Sequence, residues 1–369
     1  MSSKKRIVLH VDLDYYYAQV EERDNPSIKD KPVVVCVYSG RSKNSGAVAT
    51  ANYIARKYGV KAGIPIIQAQ QKLKDVDSVF LPMRKQYYTE VSNQIMELLR
   101  SFADSFEQRS IDEAYLDITN KVDNSFDKAY RYARTIQKTV YKNFKLTCSI
   151  GIGPNKLVAK IASDFKKPNG ITLVRPEEVQ KFLAPLKVKD IPGIGPKTAQ
   201  ILNEMGYKQI GDLLKIDPTI LTERFGKKLG SFIYNAARGI DSRPVKEKEG
   251  KKQIGKVYTL KEDITTPTEL TGVLTQLVIE VNERILKNNI SFRTINVTFV
   301  TDTLKIHSKS KTLNSYFTEI NQRVIDEIKK LIYLFFKENE GVKVRRFGIR
   351  VSGLKREEKT KQGKLTDFF

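Results

Sequence analysis

The chain has 369 residues, 40% of them hydrophobic, which is enough for more than one packed core and excludes a disordered protein. Lys and Arg number 65 against 42 Asp and Glu, a formal charge of +23, which points to a polyanionic partner, with nucleic acid ahead of a merely basic or ribosome-associated protein. Two cysteines exclude a disulfide framework, and no stretch approaches the ~18 apolar residues of a membrane span. Asp12 and Asp14 interrupt the apolar run behind Lys4, Lys5 and Arg6, so no signal peptide is expected and the protein is read as soluble and cytoplasmic.

In chain order, 7–11 reads as a short buried strand ending in Asp12, and 32–38 as a second strand. The composition of 47–58 favours helix, stopped by Gly59. Helical spacing links Ile95, Leu98, Leu99 and Phe102. Then 110–118 looks like strand, 126–144 like helix and 146–152 like strand. Strands and helices mix without strict alternation, which predicts an α+β fold. From about Arg175 to Asp241 short helices are punctuated by Gly and Pro, and the charged stretch that follows reads as a linker.

Beyond it lie strand 254–260, helix 267–287, strands 293–300 and 303–312, helix 316–336 and strand 343–352. Thr266, Pro267 and Glu269 form a start signal for the first of these helices. The order βαββαβ is that of a ferredoxin-like split βαβ unit.

Two acidic clusters carry the chemistry. Asp12 ends a buried strand with Asp14 two residues on, and the second cluster is Asp112 and Glu113. Phosphoryl transfer onto a sugar hydroxyl uses hard cations held by carboxylate oxygens, which two such clusters joined by a sheet would supply. Solvated acids at strand ends are the plainer reading of each residue alone. Neighbouring strand residues point to opposite faces, so Asp112 and Glu113 can share a site only at a turn or bulge.

The run Val11-Asp12-Leu13-Asp14-Tyr15-Tyr16-Tyr17-Ala18-Gln19-Val20-Glu21 resembles the opening motif of Y-family, lesion-bypass DNA polymerases of the archaeal kind. Ser110-Ile111-Asp112-Glu113-Ala114-Tyr115-Leu116-Asp117 resembles their second catalytic motif. The likeness continues through 46–63, 149–170, 193–195 and 238–241. It implies a DNA-directed DNA polymerase that adds deoxynucleotides to a primer 3′-hydroxyl and copies damaged templates at low fidelity. It also implies a right hand, with palm (1–15 and 83–174), fingers (16–82), helical thumb (175–241), basic linker (242–254), little finger (255–357) and flexible tail (358–369). A metal-dependent nuclease, a nucleotidyl cyclase and a catalytically silent DNA-binding scaffold are the rivals.

By the same resemblance Asp12, Asp112, Glu113 and the Leu13 carbonyl would hold two Mg2+ ions; many relatives have Phe where Leu13 stands, which a backbone ligand tolerates. Tyr53, Arg56 and Lys167 would meet the incoming dNTP's triphosphate, and Thr50, Tyr53 and Arg56 would share one face of the expected helix. Tyr17 occupies the steric-gate position beneath the sugar. Ala47, Ala49 and Gly63 would leave space beside the nascent base pair.

Ile191-Pro192-Gly193-Ile194-Gly195-Pro196-Lys197-Thr198-Ala199 matches a helix-hairpin-helix signature, whose glycines let backbone N–H groups approach a DNA phosphate. Lys305, His307, Lys309 and Lys311 alternate along one expected strand, and Arg346 and Arg350 along another, as a track for primer-template DNA. Gln362, Leu365, Phe368 and Phe369 resemble a sliding-clamp peptide, with the apolar three forming a plug on one helical turn. A monomer without a 3′ exonuclease is expected.

Overall fold

The computed structural model describes residues 6–247, 250 and 252–356. The clamp-like residues Gln362, Leu365, Phe368 and Phe369 lie outside them. Over the described residues the chain divides into two compact units, one holding 47–248 and the residues up to 37, the other 38–46 and the residues from 249 on.

The first unit runs β1 (Val8–Leu13), α1 (Tyr16–Asp24), β2 (Val33–Tyr38), β3 (Gly46–Ala51), α2 (Tyr53–Lys57), α3 (Ile66–Lys72), β4 (Val79–Pro82) and α4 (Lys85–Ser101). It continues with β5 (Ser105–Gln108), β6 (Glu113–Asp117), α5 (Phe126–Phe144), β7 (Cys148–Gly153), α6 (Lys156–Phe165) and β8 (Ile171–Leu173). Three further helices follow: α7 (Val179–Leu183), α8 (Pro196–Glu204) and α9 (Pro218–Ala237). Its main sheet has the order β5-β6-β1-β7-β8, so the short apolar run at the start of the chain becomes the central strand.

The two faces of β1 meet different surroundings, as period-two alternation requires. Leu9, Val11 and Leu13 enter a core with Ile95 and Leu99 of α4 and Ala133, Ile136 and Val140 of α5. On α5 the apolar positions Ala129, Ala133, Ile136 and Val140 recur at helical spacing, and Ser125 caps the helix by accepting from the Lys128 N–H. The opposite face carries Val8, His10 and Asp12 towards α6. A Cβ at Gly151 of β7 would stand 1.9 Å from the Ala159 carbonyl, so glycine here is what lets α6 approach the sheet.

A smaller sheet, β3-β2-β4, packs with α2 and α3 around Val34, Cys36, Val48, Ala55 and Ile66. The region expected as one helix over 47–58 is therefore a strand followed by a short helix. The alanines favour helix locally, but pairing beside β2 overrides that preference. Asn52 then starts α2, its side-chain oxygen accepting from both Val33 and Ala55 N–H groups. A separate core under α7, α8 and α9 includes Leu183, Leu202, Leu213, Leu221 and Ile233.

The first half of the expected linker is bound to this unit. Val245, its one aliphatic residue before Ile254, packs with Val8, Tyr115 and Ala159 and is only 5% exposed. Arg6 donates to the backbone carbonyls of Asp241 and Arg243, both at 3.0 Å.

The second unit contains β9 (Gln253–Ile264), α10 (Pro267–Lys287), β10 (Ile290–Thr301), β11 (Ile306–Phe317), α11 (Gln322–Glu338), β12 (Val344–Ser352) and β13 (Lys355–Arg356). The sheet order β11-β10-β12-β9 places β12 between β9 and β10, and β10 between β11 and β12, so both βαβ units are split. Thr266 caps α10 by accepting from the Glu269 N–H. β11 reaches Phe317, beyond its expected end, and α11 starts correspondingly later.

The two basic rows do not form one track. Lys309 pairs with Val297 and Lys311 with Ile295, and both apolar partners belong to the core under the helices. Arg350 pairs with Asn296, on the other face. Lys309 reaches Glu338 of α11, and His307 packs edge-on against Phe335. Strand register, which turns a side chain over at every residue, decides this and is invisible to spacing within one strand. No helix among the described residues is long and apolar enough to cross a membrane.

Candidate active site

β1 carries Asp12 to the end of the main sheet, directly opposite Glu113 of β6 and Ser149 of β7. Asp112 precedes β6 in the β5–β6 turn, and its carbonyl accepts from the Leu13 N–H at 2.9 Å. That turn answers the alternation problem: Asp112 is not a strand residue, so it need not point away from Glu113. Ser110 fixes the turn by donating its hydroxyl to Asp112 Oδ1 at 2.5 Å. The Leu13 side chain is in the core, so the backbone is what this residue offers the site.

The three carboxylates share one electrostatic environment. Burial raises Asp12 to about 7, and Glu113 and Asp112 add to the shift against the opposing Lys167. Asp112 is raised as well, by burial first and then by Glu113, with the Ser110 hydrogen bond opposing. Glu113 goes the other way. Burial works to raise it, but His10 and the Lys160 ammonium outweigh that and hold it well below the usual carboxylate range.

Two lysines attend these acids: Lys167 Nζ is 2.7 Å from Asp12 Oδ1, and Lys160 Nζ is 2.9 Å from Glu113 Oε1. Among the described residues no three Asp, Glu, His or Cys side chains stand close enough together to hold a metal ion. The donor set nevertheless suits a hard divalent cation. It is all oxygen, and burial, with the neighbouring carboxylates adding to it, raises two of its three carboxyls, a cost that a bound cation would offset.

Asp14 is fully buried and accepts from the Thr147 hydroxyl (2.8 Å), the Ser149 hydroxyl (2.7 Å) and the Asn169 N–H (2.9 Å). It thereby ties the 167–170 loop to the sheet and sets the reach of Lys167. Lys167 also contacts Asp164, and these two acids hold it protonated although burial opposes the charge.

Tyr53 and Arg56 lie on α2, with the guanidinium 4.8 Å over the Tyr53 ring. The Tyr53 hydroxyl is buried without a hydrogen-bond partner among the described residues, and its phenol is raised by burial and then by the Asp14 charge. Thr50 is on β3, so it shares no helix face with Tyr53 and Arg56. Ala47 and Ala49 are half-buried on the same strand, and Gly63 adopts a positive φ of 90°.

Tyr17 is half-exposed and near enough to Asp112 that this charge, after burial, raises its phenol. Tyr15 takes left-handed backbone, φ 37°, to turn the chain from β1 into α1.

Sequence reasoning did not single out His10 or Lys160. His10 Nδ1 is 2.8 Å from Ser163 Oγ, whose own hydroxyl donates to the Lys160 carbonyl. Burial pulls the ring down to about 4, so it stays neutral. Its Nε2, 3.7 Å from Glu113 Oε2, has no hydrogen-bond partner among the described residues. Lys160 had a faint signal: with Lys156 it repeats at i, i+4 on α6, and Lys156 likewise meets an acid, Glu107, at 2.5 Å.

Away from the carboxylates, Gly193 has φ 105° and Gly195 caps α8, with Pro196 at its first position. These residues form the turn that the hairpin signature requires.

The fold and this site define a template-directed DNA polymerase of the translesion type, and the chain belongs to the Y family of such enzymes. Models of the impB/mucB/samB family match residues 11–164 and, for its C-terminal domain, 251–365, while a DNA polymerase-iota thumb-domain model matches 189–241. The chain is 45% identical to DNA polymerase IV of Nitrosopumilus maritimus, covering 99% of each. Identity to DNA polymerase IV of Saccharolobus solfataricus is 41%, over 94% of this chain and 96% of the relative. Among solved structures, a Y-family polymerase chimera of Dbh and Dpo4 matches with a TM-score of 0.88 at 40% identity, covering 95% of this chain and 100% of the other. An insertion ternary complex of Dbh DNA polymerase matches at 0.67 and 39%, with the same coverage. Enzymes of this family generally need divalent metal ions.

Proposed function

We propose that the chain extends a primer by in-line attack of its 3′-hydroxyl on the α-phosphate of a dNTP, with two Mg2+ ions held by Asp12, Asp112, Glu113 and the Leu13 carbonyl. The observation that carries this reading is the meeting of three carboxylates, from β1 and the β5–β6 hairpin, at one end of the main sheet. Bound there, the ions would supply Lewis-acid charge at the attacking hydroxyl and the leaving phosphates.

The chain's own residues do the rest. Lys167, released from Asp12, and Arg56 neutralise the triphosphate, and the unpartnered Tyr53 hydroxyl donates to one of its oxygens. Asp14 keeps the Lys167 loop in place. The Tyr17 ring lies beneath the sugar and leaves no space for a 2′-hydroxyl. Ala47, Ala49 and Gly63 leave room for a distorted template base.

The main sheet with α4, α5 and α6 serves as palm, the β3-β2-β4 layer as fingers, the helices to about Asp241 as thumb and the second unit as little finger. The turn before α8 grips a DNA phosphate through backbone N–H groups. On the little finger the row that serves DNA is Arg346 and Arg350 with Asn296, Thr298, Ser308 and Ser310, which share the face away from the helices. Gln362, Leu365, Phe368 and Phe369 bind a sliding clamp, and the enzyme works as a cytoplasmic monomer.

Single-nucleotide primer extension with Mg2+ titrated, on the parent and on Asp12→Ala, tests this reading. Extension should follow the template, require the divalent ion and vanish in the variant, while primer-template binding persists. Parental extension by Asp12→Ala would remove the assignment.

A further inference from the structure

Tyr17 does not stand alone. Its ring stacks on that of Tyr88 from α4, with centroids 4.7 Å apart and planes inclined by 21°. Tyr88 is fully buried. Stacked tyrosines are often plain core packing.

This pair differs in that the buried ring is held at both ends. The Tyr88 hydroxyl donates to Glu21 Oε1 in a short hydrogen bond. Arg84 grips both oxygens of that carboxylate, Nε to Oε1 and Nη2 to Oε2, each at 2.8 Å, and Nη2 also meets Asp24 at 2.9 Å. At the backbone end, the Tyr16 hydroxyl donates to the Tyr88 carbonyl at 2.7 Å. For the Tyr88 ring to move back, a charge-assisted bond to a carboxylate that is itself 7% exposed would have to break.

An aromatic gate excludes a 2′-hydroxyl only if it cannot yield. A ring on a half-exposed side chain at the first turn of a helix has torsional freedom, and contact with a ribose would push it towards whatever lies behind. The surface it stacks on is a flat, buried ring tied to the Glu21 carboxylate, which Arg84 grips from its exposed side. We propose that Tyr88 is a positioning residue for sugar discrimination, the anchored backstop that keeps Tyr17 in place. The inference rests on the reading of Tyr17 as the steric gate.

The test is the ratio of kcat/KM for a matched deoxynucleotide to that for the corresponding ribonucleotide, because a ratio cancels any loss of folded enzyme. It is measured in the parent, Tyr17→Ala, Tyr88→Leu, Tyr88→Phe and the Tyr17→Ala/Tyr88→Leu double variant. Tyr17→Ala should lower the ratio at least about tenfold, and Tyr88→Leu about fivefold, since Tyr17 can then lean into the vacated space. Tyr88→Phe keeps the ring but loses its bond to Glu21, so its ratio should fall between those of the parent and Tyr88→Leu. The double variant should match Tyr17→Ala alone, because Tyr88 acts through Tyr17.

A parental ratio in Tyr88→Leu beside a collapsed one in Tyr17→Ala would overturn the backstop and leave the gate standing. Equal effects of Tyr88→Leu in both backgrounds would also overturn it. No change in Tyr17→Ala would remove the gate itself, and the backstop with it. Should Tyr88→Leu not accumulate as folded protein, Tyr88→Met fills similar volume without a flat ring and reads the same ratio.

Discussion

The main sheet of the first unit and the sheet of the second each bury one face under a pair of helices, yet they treat charge in opposite ways. In the first, α6 comes close over the second face, so Asp12, Asp14, Glu107 and Lys156 are all under 9% exposed and each has a specific partner. In the second, Arg346 is exposed on the sheet face away from the helices, between Val300 and Thr259 of the neighbouring strands. Buried charges are strongly coupled to their partners, whereas exposed ones are screened and act additively. Single substitutions should therefore be severe in the first sheet and graded in the second.

Four predictions can break or sharpen that contrast. The largest effect belongs to Asp112→Ala, which should lower single-nucleotide insertion roughly a thousandfold or more while leaving primer-template affinity nearly unchanged. Rapid-quench extension beside fluorescence anisotropy measures both.

Next is Lys156→Met, one turn before Lys160 on α6, which leaves Glu107 buried without its ammonium and should cost ~3–5 kcal/mol in chemical denaturation. Pairing it with Glu107→Gln should recover a good part of that loss; no recovery would mean that packing, not charge, carries the cost.

A smaller, salt-dependent effect is expected on the second sheet. Arg346→Ala and Arg350→Ala should each flatten the slope of log affinity against log salt by about 0.9 for every phosphate left without its guanidinium. Lys309→Ala should leave the slope alone, because its ammonium is committed to Glu338 under α11, and should cost at most ~1 kcal/mol of stability. The reverse pattern would put the DNA on the helical side.

The smallest effect on the bare enzyme is that of truncation after Lys361. Activity on short primers should not change, while stimulation by a sliding clamp, which works through effective concentration, should disappear. Equal stimulation of both forms would exclude the tail.

Local signals were enough wherever the interacting groups are neighbours in the chain. Helices α5 and α10 begin and end where periodicity and capping put them, because Ser125 and Thr266 bond to N–H groups three residues on. Asp12, Asp112 and Glu113 were legible as residues, through their motifs. How Asp112 and Glu113 could serve one site was not, because that depends on where the β5–β6 hairpin turns.

The tertiary structure decided what depends on partners distant in sequence. Pairing beside β2 made a strand of an alanine-rich segment that favours helix. Register with β10 put Lys309 and Lys311 of β11 on the face opposite to Arg346 and Arg350 of β12. The buried Val245 turned half of an apparently charged linker into part of the first unit's packing. His10 meets a serine 153 positions away, and Asp14 one 135 positions away. Composition and periodicity report a residue's preference for water or for a helix; they carry no information on which distant group will compensate its charge or cover its face, and that compensation is what assembled this site.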